Sequence, residues 1–171
     1  MKMLPFEQGG LDSLCGIYSI INAEKTINKT TLKESQELFN AMIDHLDRQR
    51  LLVPILTSGM LRKHIKSILD DVIGDRIPYK KMHFAGVENP DLNTYWNEIK
   101  SFLAPQRAVI LCVDGFHDHW TVAKEISDNR IELFDSTGLR WINRANCTTY
   151  DSRGKRHHIF YPAQTYFLKG S

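Results

Sequence analysis

Residues 8–23 read Gln-Gly-Gly-Leu-Asp-Ser-Leu-Cys-Gly-Ile-Tyr-Ser-Ile-Ile-Asn-Ala, and the rest of the chain is organised around this stretch. A glycine pair, which favours a turn, comes before Asp12 and Ser13, and either of these side chains can cap the start of a helix. The mostly apolar run after Cys15 predicts the helix itself. The sequence therefore predicts a cysteine in the first turn of the first main helix.

The position of Cys15 allows two interpretations. In the first turn a cysteine lies near unpaired backbone N–H groups and the positive end of the helix dipole, and both favour the thiolate over the thiol. A thiolate is a nucleophile. The alternative is a buried structural cysteine on an apolar helix, because free cysteines are among the most buried residues.

The composition is that of an ordinary folded protein. The chain has 171 residues, of which 42% are hydrophobic and 25% charged, so we expect a single domain over residues 1–171. A net charge of +2 is too small to indicate nucleic-acid or membrane binding. No apolar run approaches the length that spans a membrane, and the first residues lack the apolar segment of a signal peptide.

Three cysteines, Cys15, Cys112 and Cys147, are odd in number and widely spaced. This pattern favours reduced thiols over a disulfide framework and predicts a cytoplasmic protein. Delivery by a specialised secretion system would leave no mark in the sequence, and the sequence does not indicate an oligomeric state.

The first part of the chain, residues 1–105, has a mainly helical pattern. Thr30 or Thr31 can cap a helix with apolar residues at helical spacing, and Asp91 can cap another that stops before Pro105. Between them, Leu51–Leu56 is predicted to be a connector, and Thr57 or Ser58 is predicted to open a helix that ends near residue 74. Residues 79–84 form a short strand at best.

The second part, residues 106–171, has the pattern of a sheet. Ala108–Val113 is a continuous apolar run, as expected for a strand buried on both faces. His119–Ile126 and Arg130–Asp135 flank a plausible hairpin loop at residues 127–129. Weaker strand candidates are Leu139–Ile142, His157–Tyr161 and Thr165–Leu168. Helices followed by an antiparallel sheet predict an α+β fold.

A nucleophilic cysteine needs a base, and the base needs an orienting group. His119 begins a predicted strand, and Asp135 ends the next one. With a three-residue loop, in which Asn129 takes a left-handed conformation, Thr121 lies opposite Asp135, and His119 lies on the same face. A two-residue loop would place His119 and Asp135 on opposite faces.

These residues resemble the papain-like cysteine peptidase superfamily. The likeness lies in Gln8–Gly16 ahead of an apolar helix, in His119-Trp120 opening a strand, and in Leu133–Ser136 closing the next. It implies a papain-like fold with Cys15 as nucleophile, His119 as general base and acid, Asp135 as orienting group and Gln8 as oxyanion donor.

Two local stretches are similar to the SUMO/ubiquitin-like deconjugating proteases. Asp12–Tyr18 is similar to their Asp-Cys-Gly-Ile-Tyr motif, and residues 119–120 and 134–138 resemble their His-Trp strand and Tyr-Asp-Ser turn. In those enzymes the histidine block precedes the cysteine. Here the cysteine comes first, as in papain, bacteriocin-leader peptidases and several bacterial effector proteases.

The chain departs from the family patterns at defined positions. Ser13 and Leu14 separate Asp12 from Cys15, whereas the deconjugating proteases have no residues there. Gln8 lies one residue further from Cys15 than is usual in the superfamily. The resemblance covers residues 8–23 and 108–138, and the helical region 27–105, where substrate selection is expected to reside, lies outside it.

The resemblance implies a cysteine peptidase or isopeptidase that needs no cofactor and cleaves a peptide, isopeptide or related acyl bond of a protein or peptide substrate. The same triad could serve a deamidase or an acyltransferase, and the fold could be an inactive binding module. A metal site at His117 and His119 with Asp114 and Asp118 is a further alternative, but no Cys-x-x-Cys or His-Glu-x-x-His motif accompanies it. Cys112, inside an apolar strand, is predicted to be a core residue.

Overall fold

The helices come first in the chain, and most of the sheet follows. The structure is a computed structural model that describes residues 3–77, 79–80, 90–115, 118–149 and 157–170. Within these residues the α-helices are α1 (Cys15–Asn28), α2 (Leu32–Arg48), α3 (Leu52–Ser58), α4 (Arg62–Ile68) and α5 (Leu92–Phe102). A π-helical turn (Leu69–Ile73) and a 3₁₀ turn (Gly74–Arg76) follow α4. No helix in the described ranges has both the length and the apolar character needed to cross a bilayer.

Side-chain caps start two of the helices where the sequence predicts them. The Oγ1 of Thr31 accepts the backbone N–H of Glu34 at 3.3 Å, and the Glu34 carboxylate accepts the N–H of Thr31 at 2.8 Å. This reciprocal pair is a capping box. At α5, one carboxylate oxygen of Asp91 accepts the N–H groups of Asn93 and Thr94 at 2.8 and 3.0 Å.

The predicted connector at residues 51–56 is wrong, because α3 occupies Leu52–Ser58. Pro54 is the third residue of this helix, where a backbone N–H would have no acceptor within the helix. A proline there does not break the helix. Thr57 and Ser58 consequently end α3 instead of opening the next helix, which begins after Leu61.

The sheet has the order β1-β8-β2-β3-β4-β5, and β7 pairs with β2 further along the same edge as β8. Its strands are β1 (Tyr79–Lys80), β2 (Arg107–Gly115), β3 (His119–Ile126), β4 (Arg130–Leu133), β5 (Trp141–Asn143), β6 (Cys147–Thr148), β7 (His158–Phe160) and β8 (Tyr166–Lys169). All the described pairs are antiparallel except β6 with β7. The expected α+β class is confirmed, and the expected antiparallel sheet is confirmed except at that one pair. Of the predicted strand at residues 79–84, residues 81–84 lie outside the described part.

Both faces of the sheet are covered by helices, as the apolar run of β2 predicts. Ile110 and Cys112 belong to the core formed with α1 and α4, whereas Val109, Leu111 and Val113 belong to the core formed with α5. Alternate side chains of one strand point to opposite faces, so β2 is buried on both. Packing on both faces holds β2 and the neighbouring strand β3 in place, and His119 is the first residue of β3.

Two further contacts hold the start of α1 against its surroundings. Trp120 is buried on the α1 side of the sheet, and its indole N–H donates to the Met60 carbonyl at 2.7 Å. A Cβ on Gly16 would lie 2.7 Å from the Met60 sulfur and 2.6 Å from Ile65 Cδ1, so a glycine permits the close approach. The residue after Cys15 is therefore packed directly on the segment that receives Trp120.

The hairpin between β3 and β4 differs from its prediction. The N–H of Ser127 donates to the carbonyl of Arg130 at 2.9 Å, so the turn consists of two residues, 128 and 129. Ile126 then pairs with Ile131, which is the register of a two-residue loop. Asn129 does not have the predicted left-handed conformation, since the described non-glycine residues with positive φ are Lys29, Arg50 and Gln106.

A β-bulge at Lys124 corrects the register before the strand reaches His119. Glu125 pairs with Glu132, but Ala123 pairs with Leu133, so β3 has one extra residue at this point. Beyond the bulge Phe134 donates its N–H to the Val122 carbonyl at 2.9 Å. The β3–β4 pairing beyond the bulge then places Asp135 and His119 on the same face of the sheet. This is the predicted arrangement, although the turn that produces it differs from the predicted one.

Candidate active site

Cys15 is the first residue of α1, and its side chain is buried, with 8% exposure. The expectation that Asp12 or Ser13 caps this helix is wrong, because the N-cap residue is Leu14 and no side chain caps the first turn. Asp12 accepts the N–H of Leu14 at 3.1 Å, and the N–H of Ser13 donates to the Leu56 carbonyl at 3.2 Å. Among the described residues, nothing accepts a hydrogen bond from the N–H of Cys15.

His119 lies between the thiol and a carboxylate. It is the first residue of β3, it is 8% exposed, and its Nε2 lies 2.7 Å from an Asp135 carboxylate oxygen. The Cys15 side chain is also a neighbour of the ring. Because Nε2 faces Asp135, Nδ1 is the ring nitrogen left for the thiol proton.

The environment of His119 favours its protonated form. Burial lowers the pKa of the imidazole, but the neighbouring side chains of Asp135 and Cys15 outweigh burial and raise the pKa to about 9. At neutral pH the ring therefore carries a proton and a positive charge. A positive imidazolium beside a sulfur is the arrangement that stabilises a thiolate.

Asp135 is fixed in place and charged. One of its oxygens accepts the N–H and the hydroxyl of Thr137, both at 2.7 Å, and the N–H of Leu139 at 3.2 Å, while the other faces His119. Burial would raise the pKa of this carboxyl, but the hydrogen bond and charge of His119, assisted by Thr137, hold it well below its usual range. Gly138, at φ 86°, allows the turn that brings these donors together.

Gln8 lies beside the triad. Its backbone N–H donates to the Ser136 carbonyl at 3.1 Å, and its Oε1 accepts the Ser136 hydroxyl at 3.3 Å. Its Nε2 donates to the Asp12 carbonyl at 3.3 Å. The Gln8 amide thus lies between the residue after Asp135 and the turn that precedes Cys15, and one of its two N–H bonds is used there.

Neither glycine of the pair after Gln8 has a left-handed conformation, although the chain has one residue more than usual between Gln8 and Cys15. The described glycines with positive φ are Gly59, Gly74, Gly115 and Gly138, and Gly9 and Gly10 are not among them. The chain absorbs the extra residue in a turn at residues 10–11 that the Asp12 carboxylate closes by accepting the Gly9 N–H at 2.8 Å.

The structure thus brings Cys15, His119 and Asp135 together, with a direct bond between His119 and Asp135, and places Gln8 next to them. Sequence reasoning missed the supporting roles of Ser136 and Thr137. The order Asp-Ser-Thr-Gly, typical of a turn in which an aspartate accepts a backbone N–H two residues later, was the available signal.

Cys112 is buried, as predicted, but it is also a neighbour of the candidate nucleophile. Burial, followed by the charges of Asp118, Asp114 and Cys15, raises the pKa of the Cys112 thiol to about 12. A thiol with such a pKa stays protonated at neutral pH and is a poor nucleophile. The two neighbouring cysteines are therefore expected to differ strongly in reactivity.

The metal-site alternative depends on His117, which lies outside the described residues. His119, its other predicted nitrogen ligand, is already bonded to Asp135. Within the described residues, no group of three or more His, Cys, Asp or Glu side chains is arranged to hold a metal ion.

Two cavities differ in their relation to the triad. A groove of about 420 Å³ borders Asp135 and is also lined by Met3, Leu4, Pro5 and Glu7. A larger cavity of about 670 Å³ is lined by Thr26 and Lys29 at the opposite end of α1 from Cys15, and contains no triad residue. We attach the candidate chemistry to the triad and not to the larger cavity, because two of the cations that line the latter, Lys29 and Lys100, lie at the C-terminal ends of α1 and α5, where they offset the helix dipoles.

Comparison of the sequence with protein-family models and with curated proteins gave no significant match. The class of protein is therefore argued from the geometry of Cys15, His119 and Asp135.

Proposed function

We propose that the chain is a papain-like cysteine peptidase or isopeptidase, a thiol hydrolase with Cys15, His119 and Asp135 as its triad. The observation that carries this proposal is the buried His119 side chain, whose Nε2 lies 2.7 Å from the Asp135 carboxylate and which has the Cys15 side chain as a neighbour. The nucleophile, base and orienting group therefore lie together in one buried site, as covalent catalysis by a thiol requires.

The mechanism follows from this order of contacts. In the resting site the proton of Cys15 already lies on His119, and Asp135 holds the resulting imidazolium. The thiolate adds to the carbonyl carbon of a peptide, isopeptide or related acyl bond, forming a C–S bond and a tetrahedral oxyanion. As the intermediate collapses, His119 gives its proton to the leaving amine and an acyl-enzyme remains on Cys15.

The start of α1 supports an oxyanion hole. A side chain caps the first turn of α2 and of α5, but none caps the first turn of α1. The N–H of Cys15 therefore remains available, and the second N–H of the Gln8 amide is the other candidate donor. Each donor of this kind contributes about 3–4 kcal/mol to stabilising the transition state in comparable sites.

The acceptor that resolves the acyl-enzyme decides the net reaction. Water gives a peptidase, or a deamidase when the bond is a side-chain amide, and a competing amine gives acyl transfer. The substrate that we propose is a protein or peptide, since its amide or isopeptide carbonyl is what this triad attacks.

Selective alkylation tests the proposal. We expect iodoacetamide to modify Cys15 at pH 6–7 at least about tenfold faster than Cys112 and Cys147, because Cys15 lies beside the protonated His119 ring. Cys112 has a strongly raised pKa, and Cys147 is 2% exposed and donates to the Asn143 carbonyl at 3.2 Å. The measurement is mass spectrometry of cysteine peptides over time.

Equal, slow labelling of all three cysteines would contradict the triad. It would favour the alternative of an inactive module that binds a protein partner without chemistry. Faster labelling of Cys112 than of Cys15 would show that the proposal names the wrong cysteine as the nucleophile.

A further inference from the structure

We propose that Asp12 is a positioning residue for the oxyanion hole, acting through Gln8 and the start of α1. This inference rests on the proposed function, since it concerns the same site. Asp12 itself is not a donor, because a carboxylate accepts hydrogen bonds and repels an oxyanion.

The Asp12 carboxylate ties together the loop between Gln8 and Cys15. One of its oxygens accepts the N–H of Gly9 at 2.8 Å, and the other accepts the N–H of Leu14 at 3.1 Å. A Cβ on Gly9 would lie 2.7 Å from the carboxylate, so the glycine is what lets the backbone come this close. The two ends of the loop are therefore held by a single side chain.

The backbone of the same residue holds the Gln8 amide. The Asp12 carbonyl accepts Nε2 of Gln8 at 3.3 Å, while Ser136 donates its hydroxyl to Oε1 at 3.3 Å. Gln8 is thus fixed at both ends of its amide. A loop that loses the Asp12 carboxylate is free to move both the carbonyl that orients Gln8 and the backbone that leads into Cys15.

The thiol and its base are held by other contacts. His119 is oriented by Asp135, and the first turn of α1 packs on Met60 and Ile65. Loss of Asp12 should therefore leave thiolate formation intact and affect the step that develops negative charge on oxygen. This difference separates a positioning role from a merely structural one.

Two reagents isolate that step. Iodoacetamide reacts when the Cys15 thiolate displaces iodide from a saturated carbon, so no oxyanion forms. With p-nitrophenyl acetate the thiolate adds to the carbonyl and forms an oxyanion; the C–O bond then breaks, p-nitrophenolate leaves and the acetyl group stays on sulfur. The ratio of the acylation rate to the alkylation rate reports on the oxyanion hole.

We expect Asp12→Ala to lower acylation about 10- to 100-fold, less than the loss of a donor itself, while alkylation changes by no more than about twofold. Asp12→Asn, which retains an oxygen that can accept the Leu14 N–H, should recover part of the loss. Because Asp12 acts through Gln8, the double variant Gln8→Ala/Asp12→Ala should lose less than the product of the two single effects.

Asp91→Ala is the matched control. It also removes a carboxylate that accepts two backbone N–H groups, but at the start of α5. Its rate ratio should equal that of the unaltered protein, even though it also loses two hydrogen bonds to backbone N–H groups and, with them, a helix cap.

Three results would overturn the inference: an unchanged ratio in Asp12→Ala, an equal fall in both rates, or single effects that multiply in the double variant. Failure of the proposed function looks different, because the unaltered protein would then not alkylate Cys15 ahead of Cys147.

Discussion

The His119→Ala variant is expected to be acylated at Cys15 by p-nitrophenyl acetate about 10²–10⁴-fold more slowly than the unaltered protein, the range for loss of a general base. Its alkylation by iodoacetamide should slow as well, because the imidazolium that stabilises the thiolate is gone. Stopped-flow release of p-nitrophenolate and the rate of Cys15 alkylation measure the two effects.

Asp135→Asn is the comparison that separates base from orienting group. Its amide keeps an oxygen for Thr137 but removes the charge that helps raise the pKa of His119. The imidazole remains, so we expect a smaller loss than in His119→Ala. The reverse order would mean that another residue is the base, and His117 would be the first to examine.

The Gln8→Ala variant should be acylated by p-nitrophenyl acetate about 10²–10³-fold more slowly, the cost of removing one oxyanion donor. Alkylation of Cys15 should stay close to its normal rate, because it forms no oxyanion. Both rates are measured under the same conditions, so their ratio is independent of the active fraction of protein.

Gln36→Ala is the control for this variant, since Gln36 is an exposed glutamine on α2 whose amide donates to Asn40 at 3.0 Å. Glu7, the neighbour of Gln8, cannot substitute, because its carboxylate would repel the oxyanion. Near-normal acylation of Gln8→Ala would limit the oxyanion hole to backbone donors and leave Gln8 as a turn residue.

Local signals in the sequence predicted much of the fold. Thr31 and Asp91 cap their helices as their side-chain chemistry dictates, and the apolar run of β2 is buried on both faces. These features depend on neighbours within a few residues or on burial alone. Local capping chemistry and the hydrophobicity of a segment can both be read from a single sequence.

The route by which the β3–β4 hairpin reaches its register was not predicted, because two irregularities in the backbone offset each other there. The two-residue turn at 128–129 shifts the strand register by one residue, and the extra residue at Lys124 shifts it back. The pairing near His119 is therefore the same as a three-residue loop without a bulge would give. No pattern in the sequence distinguishes these two routes. Pro54 likewise argued against α3, although a proline in the first turn of a helix costs no hydrogen bond.

The sequence likewise predicted some residues of the candidate site and missed others. Cys15, His119 and Asp135 were predicted because each occurs at the start or end of a recognisable element, and the structure brings them together. Thr137 has a role because its backbone N–H donates to the Asp135 carboxylate, and Asp12 has one because its own carboxylate accepts the N–H groups of Gly9 and Leu14. Such convergence of backbone donors on a carboxylate is a property of the folded chain, so residue types and spacing predict it only weakly.

The central claim is that the Cys15 sulfur is the atom that attacks a carbonyl, and the most direct measurement is trapping of the acyl-enzyme. The protein is mixed with p-nitrophenyl acetate, quenched in acid within the first turnover, digested and examined by mass spectrometry. We predict the acetyl group on the peptide that contains Cys15, with Cys112 and Cys147 unmodified. Acetylation of another cysteine in place of Cys15, or of none, would contradict the claim.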